Sequence, residues 1–315
     1  MKKGGFILKS PIPYIGGKRA LLHEILPLIP DKYYRYVEVF GGGASVLFAK
    51  PPTRFEVYND VQDNLVNLFL VLKERHFSFL NELNVLSLNS RTEFNILKKI
   101  VSGDYTPYAY IEDELNVAKV TLKPLEYKEI KEILTTKARM HDVNRAVSYY
   151  RLLRTSYGAG GTSFGARPIE VHTLKIYRDI SKAHHRLKRV VVENKDFEDL
   201  IKQYDAEDSF FYCDPPYFGT EQTYDAPFYS NDHERLFHVL DNIKGQFLLS
   251  YDDSEYIRDL YKDYHIVSVT RLNNLKQRYD PGSEFKEVLI ANYDISKIKK
   301  EKTVQLELWS EENEL

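Results

Sequence analysis

The sequence predicts an α/β fold: a sheet domain interrupted by an inserted, mainly helical domain. Short apolar, β-prone runs alternate with helical patterns near the start of the chain and again from about residue 187. The first such run empties into three consecutive glycines, Gly41-Gly42-Gly43, followed by a helix start. Between about residues 73 and 186 the alternation stops, and polar, mostly helical sequence replaces it.

Taken in order, residues 35–40 (RYVEVF) read as the first strand, and Ala44-Ser45-Val46-Leu47-Phe48 opens a helix. Residues 55–58 (FEVY) read as the second strand. Asn59-Asp60 follow, then a helix spaced by Val61, Leu65, Leu68, Phe69, Val71 and Leu72. The insertion carries a loop of small residues around Gly158-Ala159-Gly160-Gly161. Strands resume at 189–193, 209–213, 246–250, 265–270 and 286–292, with helices at 197–204, 231–243 and 253–262. The expected division is a sheet domain over 1–72 and 187–296, an insertion over 73–186, and a polar tail over 297–315.

Composition agrees with a globular chain. Of 315 residues, 43% are hydrophobic and 29% charged, enough for one large domain with an insertion. No stretch approaches the roughly 20 apolar residues that span a bilayer. The N-terminus shows no signal-peptide pattern. The single cysteine, Cys213, excludes an internal disulfide and fits a reducing, cytoplasmic setting. The net charge of −2 hides a split: residues 141–190 hold ten Lys/Arg and three acids, whereas 191–260 hold five and seventeen. A basic segment on a near-neutral protein suits a polyanion held on one face, although a solvated helix face would look the same.

Asp214-Pro215-Pro216-Tyr217 follows the apolar run FFYC. An acid, two prolines and a ring at the end of a strand make a rigid platform where open α/β sheets bind ligands. The prolines fix φ and remove two amide donors. Such a platform suits an adenine amine, whose lone pair is delocalised into the ring. The Asp214 carboxylate and the Pro215 carbonyl can each accept one amine N–H and aim the lone pair at a methyl donor, while Tyr217 stacks on the base. The base must first leave the duplex, which costs a few kcal/mol on the order of magnitude of base unstacking. A bare four-residue match is also compatible with a proline-stiffened turn. The other motifs argue against that: Glu38-Val39-Phe40-Gly41-Gly42-Gly43 for close approach of an anionic ligand group, Asp60 at the second strand's end for ribose hydroxyls, Asp196-Phe197 for an adenine's amine and face, and Pro13-Tyr14-Ile15-Gly16-Gly17-Lys18.

This order of motifs resembles the Dam-type, or D12-class, DNA adenine N6-methyltransferases. The resemblance runs over most of residues 8–293, through YIGGK, EVFGGGASVLF, YNDVQDNLVNLF, KDF, YCDPPYF, SYDDSEYI and EVLIANY. It implies a Rossmann-like seven-stranded mixed sheet with an inserted target-recognition domain. It also implies transfer of a methyl group from S-adenosyl-L-methionine to the N6 amine of a flipped adenine in double-stranded DNA, the chemistry of restriction-modification systems. On this resemblance Tyr14, Gly17, Lys18, Glu38, Phe40, Gly41, Gly43, Asp60, Asp196, Phe197 and Asp214 bind the cofactor, and Asp214, Pro215, Pro216 and Tyr217 form the catalytic tetrad. Two positions depart from the family pattern. Val39 stands where a proline is usual, and Ala44 where a last glycine is common.

The insertion lacks the segment that accompanies GATC recognition, so that target is not assigned. Arg151, Arg154, Ser156 and Tyr157 are the candidate DNA contacts, since arginines bond phosphates or guanine edges and tyrosines wedge or stack. The alternative is that these arginines pair with local acids. No histidine or cysteine spacing marks a metal site. Three other readings stay open: adenine in RNA, the exocyclic amine of cytosine, and a catalytically silent DNA-binding module. In the tail, Gln305-Leu306-Glu307-Leu308-Trp309 resembles peptides that bind the bacterial replication sliding clamp.

Overall fold

The computed structural model describes residues 8–83, 90–103, 109–139, 142–165, 173–219, 228–272, 282 and 284–296. All seven runs read as strands form strands, within a few residues of the expected bounds. They are β1 (Arg35–Glu38), β2 (Phe55–Asn59), β3 (Val190–Glu193), β4 (Ser209–Cys213), β5 (Gln246–Asp252), β6 (His265–Leu272) and β7 (Glu284–Ala291). They join one sheet in the order β3-β2-β1-β4-β5-β7-β6. β7 runs antiparallel to both its neighbours, and the other described pairings are parallel.

The lack of alternation in β4 has a direct cause. All five of its residues are buried, between β1 and β5. A strand covered on both faces has no polar side to show. From β1 the chain moves outward to β2, and from β4 it moves the opposite way to β5. The carboxyl ends of β1 and β4 therefore flank the switch point, where such sheets bind ligands.

Helices are numbered along the chain. The first compact unit comprises Met1–Ser10, Gly16–Gln62 and Arg189–Leu315. It holds the sheet with α1 (Leu22–Ile25), α2 (Ser45–Ala49), α10 (Phe197–Tyr204), α11 (Ser230–Asp241) and α12 (Glu255–Leu260). Val37, Val57, Phe211, Leu249 and Ile290 from the strands pack with Leu200 of α10, Leu236 of α11 and Ile257 of α12.

The second unit comprises Pro11–Ile15 and Asp63–Lys188. It holds α3 (Asp63–Glu74), α4 (His76–Leu83), α5 (Arg91–Ser102), α6 (Ala109–Thr121), α7 (Pro124–Arg139), α8 (Val143–Thr155) and α9 (Thr173–Leu187). The division falls at 62/63, not the expected 72/73, because α3 packs on α8 and α9. Its apolar spacing reveals a buried face but not the partner of that face. Asn67 of α3, only 2% exposed, brackets the start of α8: its amide donates to the Asp142 carbonyl and accepts from the Asp142 N–H, both at 2.9 Å. The Asp142 side chain then caps α8 by accepting from the Arg145 N–H. On α9 the buried face is Ile176, Ile180, Ala183 and Leu187, while Lys175, Arg178 and Lys182 lie exposed.

No described helix is long and apolar enough to cross a membrane. Residues 305–309 of the tail lie outside the described residues.

Candidate active site

The bond from Val39 N to Tyr212 O, 3.0 Å, prolongs the β1–β4 ladder beyond the last residue of β1. It leads the glycine turn and residues 214–217 out of neighbouring strands. The turn is tightly specified. A Cβ on Gly41 would lie 2.2 Å from the Tyr58 ring. The Tyr58 hydroxyl donates to the Gly42 carbonyl at 2.9 Å, and the Gly42 N–H donates to Asp60 at 2.8 Å. Ala44, the departure noted above, has φ of +55° and is fully buried. A left-handed alanine costs roughly 1 kcal/mol, so the turn geometry is kept at some strain.

Asp60 sits just past β2, where an acid for ribose hydroxyls is expected. Its two oxygens accept from the N–H groups of Gly42 and Gln62. Burial raises its carboxyl above the ordinary value, and the backbone donors oppose that. Glu38, expected at the cofactor, ends β1 at 2% exposure and accepts from the Tyr36 hydroxyl at 2.6 Å. Burial pushes its carboxyl up to about 8, against the lowering bonds from Tyr36 and the Leu47 amide. Its bonding partners are therefore Tyr36 of β1 and Leu47 of α2.

Asp196 caps α10, and Phe197 begins it. The Phe197 ring packs with Phe40 at 5.5 Å and Phe228 at 5.9 Å. Arg235 of α11 lies over Phe197 at 4.6 Å and pairs with Asp196 at 2.9 Å. The same guanidinium also pairs with Glu198 and Asp232. The expected acid and aromatic face are therefore adjacent, clamped by an arginine that sequence reasoning did not single out.

Asp214 follows β4, with 18% of its side chain exposed. Its Oδ1 accepts from Lys18 Nζ at 2.6 Å and from Ser250 Oγ at 3.2 Å. Burial raises its carboxyl above the ordinary range, and the Lys18 ammonium holds it down. Lys18, only 4% exposed, also lies 4.9 Å from the Tyr217 ring centre and 3.9 Å from Glu287. The Tyr217 hydroxyl donates to Glu287, and Arg271 pairs with the same carboxylate. Lys18, Asp214 and Tyr217 thus lie together. Ser250, Arg271 and Glu287 join them without having been read from the sequence. A lone acid in the apolar run EVLIAN was the available signal for Glu287.

Gly17 precedes the 3-10 turn Lys18–Leu21, and Tyr14 is half-buried within the second unit. In that unit Arg151 is paired with Glu93, and Arg154 is bonded to the Tyr150 hydroxyl at 3.2 Å. Ser156 ties the small-residue loop together: its Oγ donates to the Leu153 carbonyl and accepts from the Gly161 N–H. Tyr157 is 48% exposed at the loop's start.

Comparison with known proteins agrees with this geometry. Residues 14–275 match the model of the D12 class N6 adenine-specific DNA methyltransferases. The type II methyltransferase M1.LlaDCHI of Lactococcus lactis subsp. cremoris is 26% identical over 93% of this chain and 98% of its own length. M.MjaIII of Methanocaldococcus jannaschii is 25% identical over 91% and 99%. M.FokI of Planomicrobium okeanokoites is 27% identical over 91% of this chain but 43% of its own, longer sequence. The family match covers well over half of the chain and includes the glycine turn, Asp60 and residues 214–217, so adenine in DNA prevails over the RNA and cytosine alternatives: the chain belongs to the D12 class of N6 adenine-specific DNA methyltransferases.

Proposed function

We propose that this DNA adenine methyltransferase works at residues 214–217 on an adenine swung out of the duplex, with the second unit reading the target. The observation that carries the reading is the Asp214 carboxylate, held at the end of β4 by Lys18 and Ser250 beside the Tyr217 ring. The residues present fit S-adenosylmethionine, the methyl donor that the family implies. Asp60 and the 43%-exposed Asp196 offer acids to hydroxyls and an amine, Phe40 and Phe197 offer adjoining aromatic rings, and the turn at 41–43 carries no side chains. When bound, that group supplies an electrophilic methyl on a sulfonium.

The chain's own part is positioning and electrostatics. Asp214 accepts one N–H of the adenine amine through Oδ2, since Oδ1 is engaged by Lys18 and Ser250. The Pro215 carbonyl accepts the other. Both bonds draw the lone pair out of ring conjugation and point it at the donor. Tyr217 stacks on the base, and Pro216 keeps the ring's backbone in place. After transfer, Asp214 takes the surplus proton from the amine.

In the second unit, Lys175, Arg178 and Lys182 form an exposed basic stripe on α9 for phosphates. Arg151, Arg154, Ser156 and Tyr157 remain the proposed readers. For Arg151 that role requires exchanging Glu93 for DNA.

The test is expression in cells lacking adenine methylation, followed by single-molecule sequencing. N6-methyladenine in one short sequence context is expected, and it also names the target. Asp214→Ala should lower turnover by roughly 10²–10³-fold, the loss typical of removing one electrostatic group from an active site, while leaving DNA binding intact. Near-normal turnover in that variant would overturn the proposed site.

A further inference from the structure

We propose that Glu287 is a positioning residue for methyl transfer, acting through the Tyr217 hydroxyl and the Lys18 ammonium; this rests on the catalytic reading of residues 214–217. Glu287 lies within β7, opposite Asp252 of β5 and Val269 of β6, and is 1% exposed. A carboxylate so deeply buried is costly unless it is paired and hydrogen-bonded. Three groups satisfy it. Arg271 of β6 pairs with Oε1, the Tyr217 hydroxyl donates to Oε2, and Lys18 stands 3.9 Å from Oε2. Arg271 is itself fixed over the Phe285 ring at 4.5 Å. Two of the three partners therefore belong to the site.

The consequences are geometric and electrostatic. The hydroxyl bond fixes the tilt of the ring on which the base stacks. The second carboxylate keeps Lys18 between two anions, so the ammonium is not spent wholly on Asp214. Asp214 and Glu287 balance Lys18 and Arg271, two charges against two. With Glu287 neutral, Asp214 would be the one carboxylate left beside Lys18, whose ammonium also bonds the Gly16 carbonyl at 3.1 Å, and the tighter pairing would weaken Asp214 as an acceptor for the amine. Glu287 touches neither the base nor the donor in this scheme, and it acts only through its partners.

The experiment measures single-turnover methylation of the mapped target DNA at saturating S-adenosylmethionine, from pH 5 to 9, with wild type, Glu287→Gln, Tyr217→Phe and the double variant. Glu287→Gln should lower the plateau rate at least tenfold, leave the calorimetric affinity for S-adenosylmethionine within twofold, and move the acidic limb to lower pH, because one negative neighbour of Asp214 is gone. The double variant should lose less than the product of the single losses. A plateau within twofold of wild type with an unmoved limb would overturn the proposal. Should Glu287→Gln lose its cooperative thermal transition, Tyr217→Phe decides alone: a rate fall of at least fivefold with unchanged affinity supports the role, and a wild-type rate ends it. Near-normal turnover in Asp214→Ala would instead overturn the reading of the site beneath it.

Discussion

In the proposed mechanism Asp214 must be ionised to accept an amine proton, and its burial works against ionisation. Lys18 is the counterweight. Methylation should therefore fail as pH falls through a carboxyl pKa that lies above the ordinary range. Lys18→Met removes the group that lowers that pKa, so the acidic limb should shift to higher pH. A single-turnover pH profile checks it, and an unmoved limb would separate Lys18 from the ionisation of Asp214. Lys18, Asp214 and Tyr217 were legible in the sequence because each stands in a motif whose chemistry constrains residue type and order. The roles of Ser250, Arg235, Arg271 and Glu287 were not, even though Ser250 opens SYDDSEYI and Glu287 opens EVLIANY. Each is a common residue within a strand or helix, and what it does depends on side chains far along the chain. Glu38 shows another limit: its motif position invites a cofactor role, but the sequence does not disclose that its carboxyl is buried and bonded to Tyr36 and Leu47.

The elements themselves were largely legible. Seven short apolar runs became seven strands, since burial on a sheet demands such runs whatever they pair with. Pairing was harder to read, because the antiparallel placement of β7 between β5 and β6 depends on register and not on composition. α3 was read as a helix but not as a member of the second unit. Asn67 is the residue that commits it there. Its amide bonds both backbone groups of Asp142, but the Asp142 carbonyl also accepts from the Ala146 N–H at 3.0 Å, so Asn67→Ala should leave the Asp142 N–H unmatched. The expected cost is about 1–2 kcal/mol, the scale of one unsatisfied, partly buried group. A chemical denaturation midpoint lowered without a change in slope would show it; an unchanged midpoint would mean that Asp142 finds other partners. Methylation at low temperature should persist in this variant, since Asn67 touches none of the site residues.

For the whole molecule, a net charge near zero conceals a basic stretch that the fold displays on α9. DNA affinity should fall linearly with salt on logarithmic axes. Replacing both Arg178 and Lys182 by Gln should weaken binding to all sequences alike and flatten the slope by roughly two, one per lost phosphate contact. Fluorescence anisotropy across a salt series measures this. An unchanged slope would move the DNA path to another face of the second unit. The sequence disclosed the uneven charge but not its direction, which comes from Ile176, Ile180 and Ala183 turning the opposite face inward. The sheet order has one more consequence, for the growing chain. Lys18 is among the first residues made, whereas β7, which separates β5 from β6, is made last of the described strands. A nascent polypeptide can already carry the glycine turn, Asp214 and Tyr217 while β5 still lacks its neighbour and the tyrosine its carboxylate. On the proposed role of Glu287, the site at residues 214–217 is therefore completed only once residues 284–291 have been made.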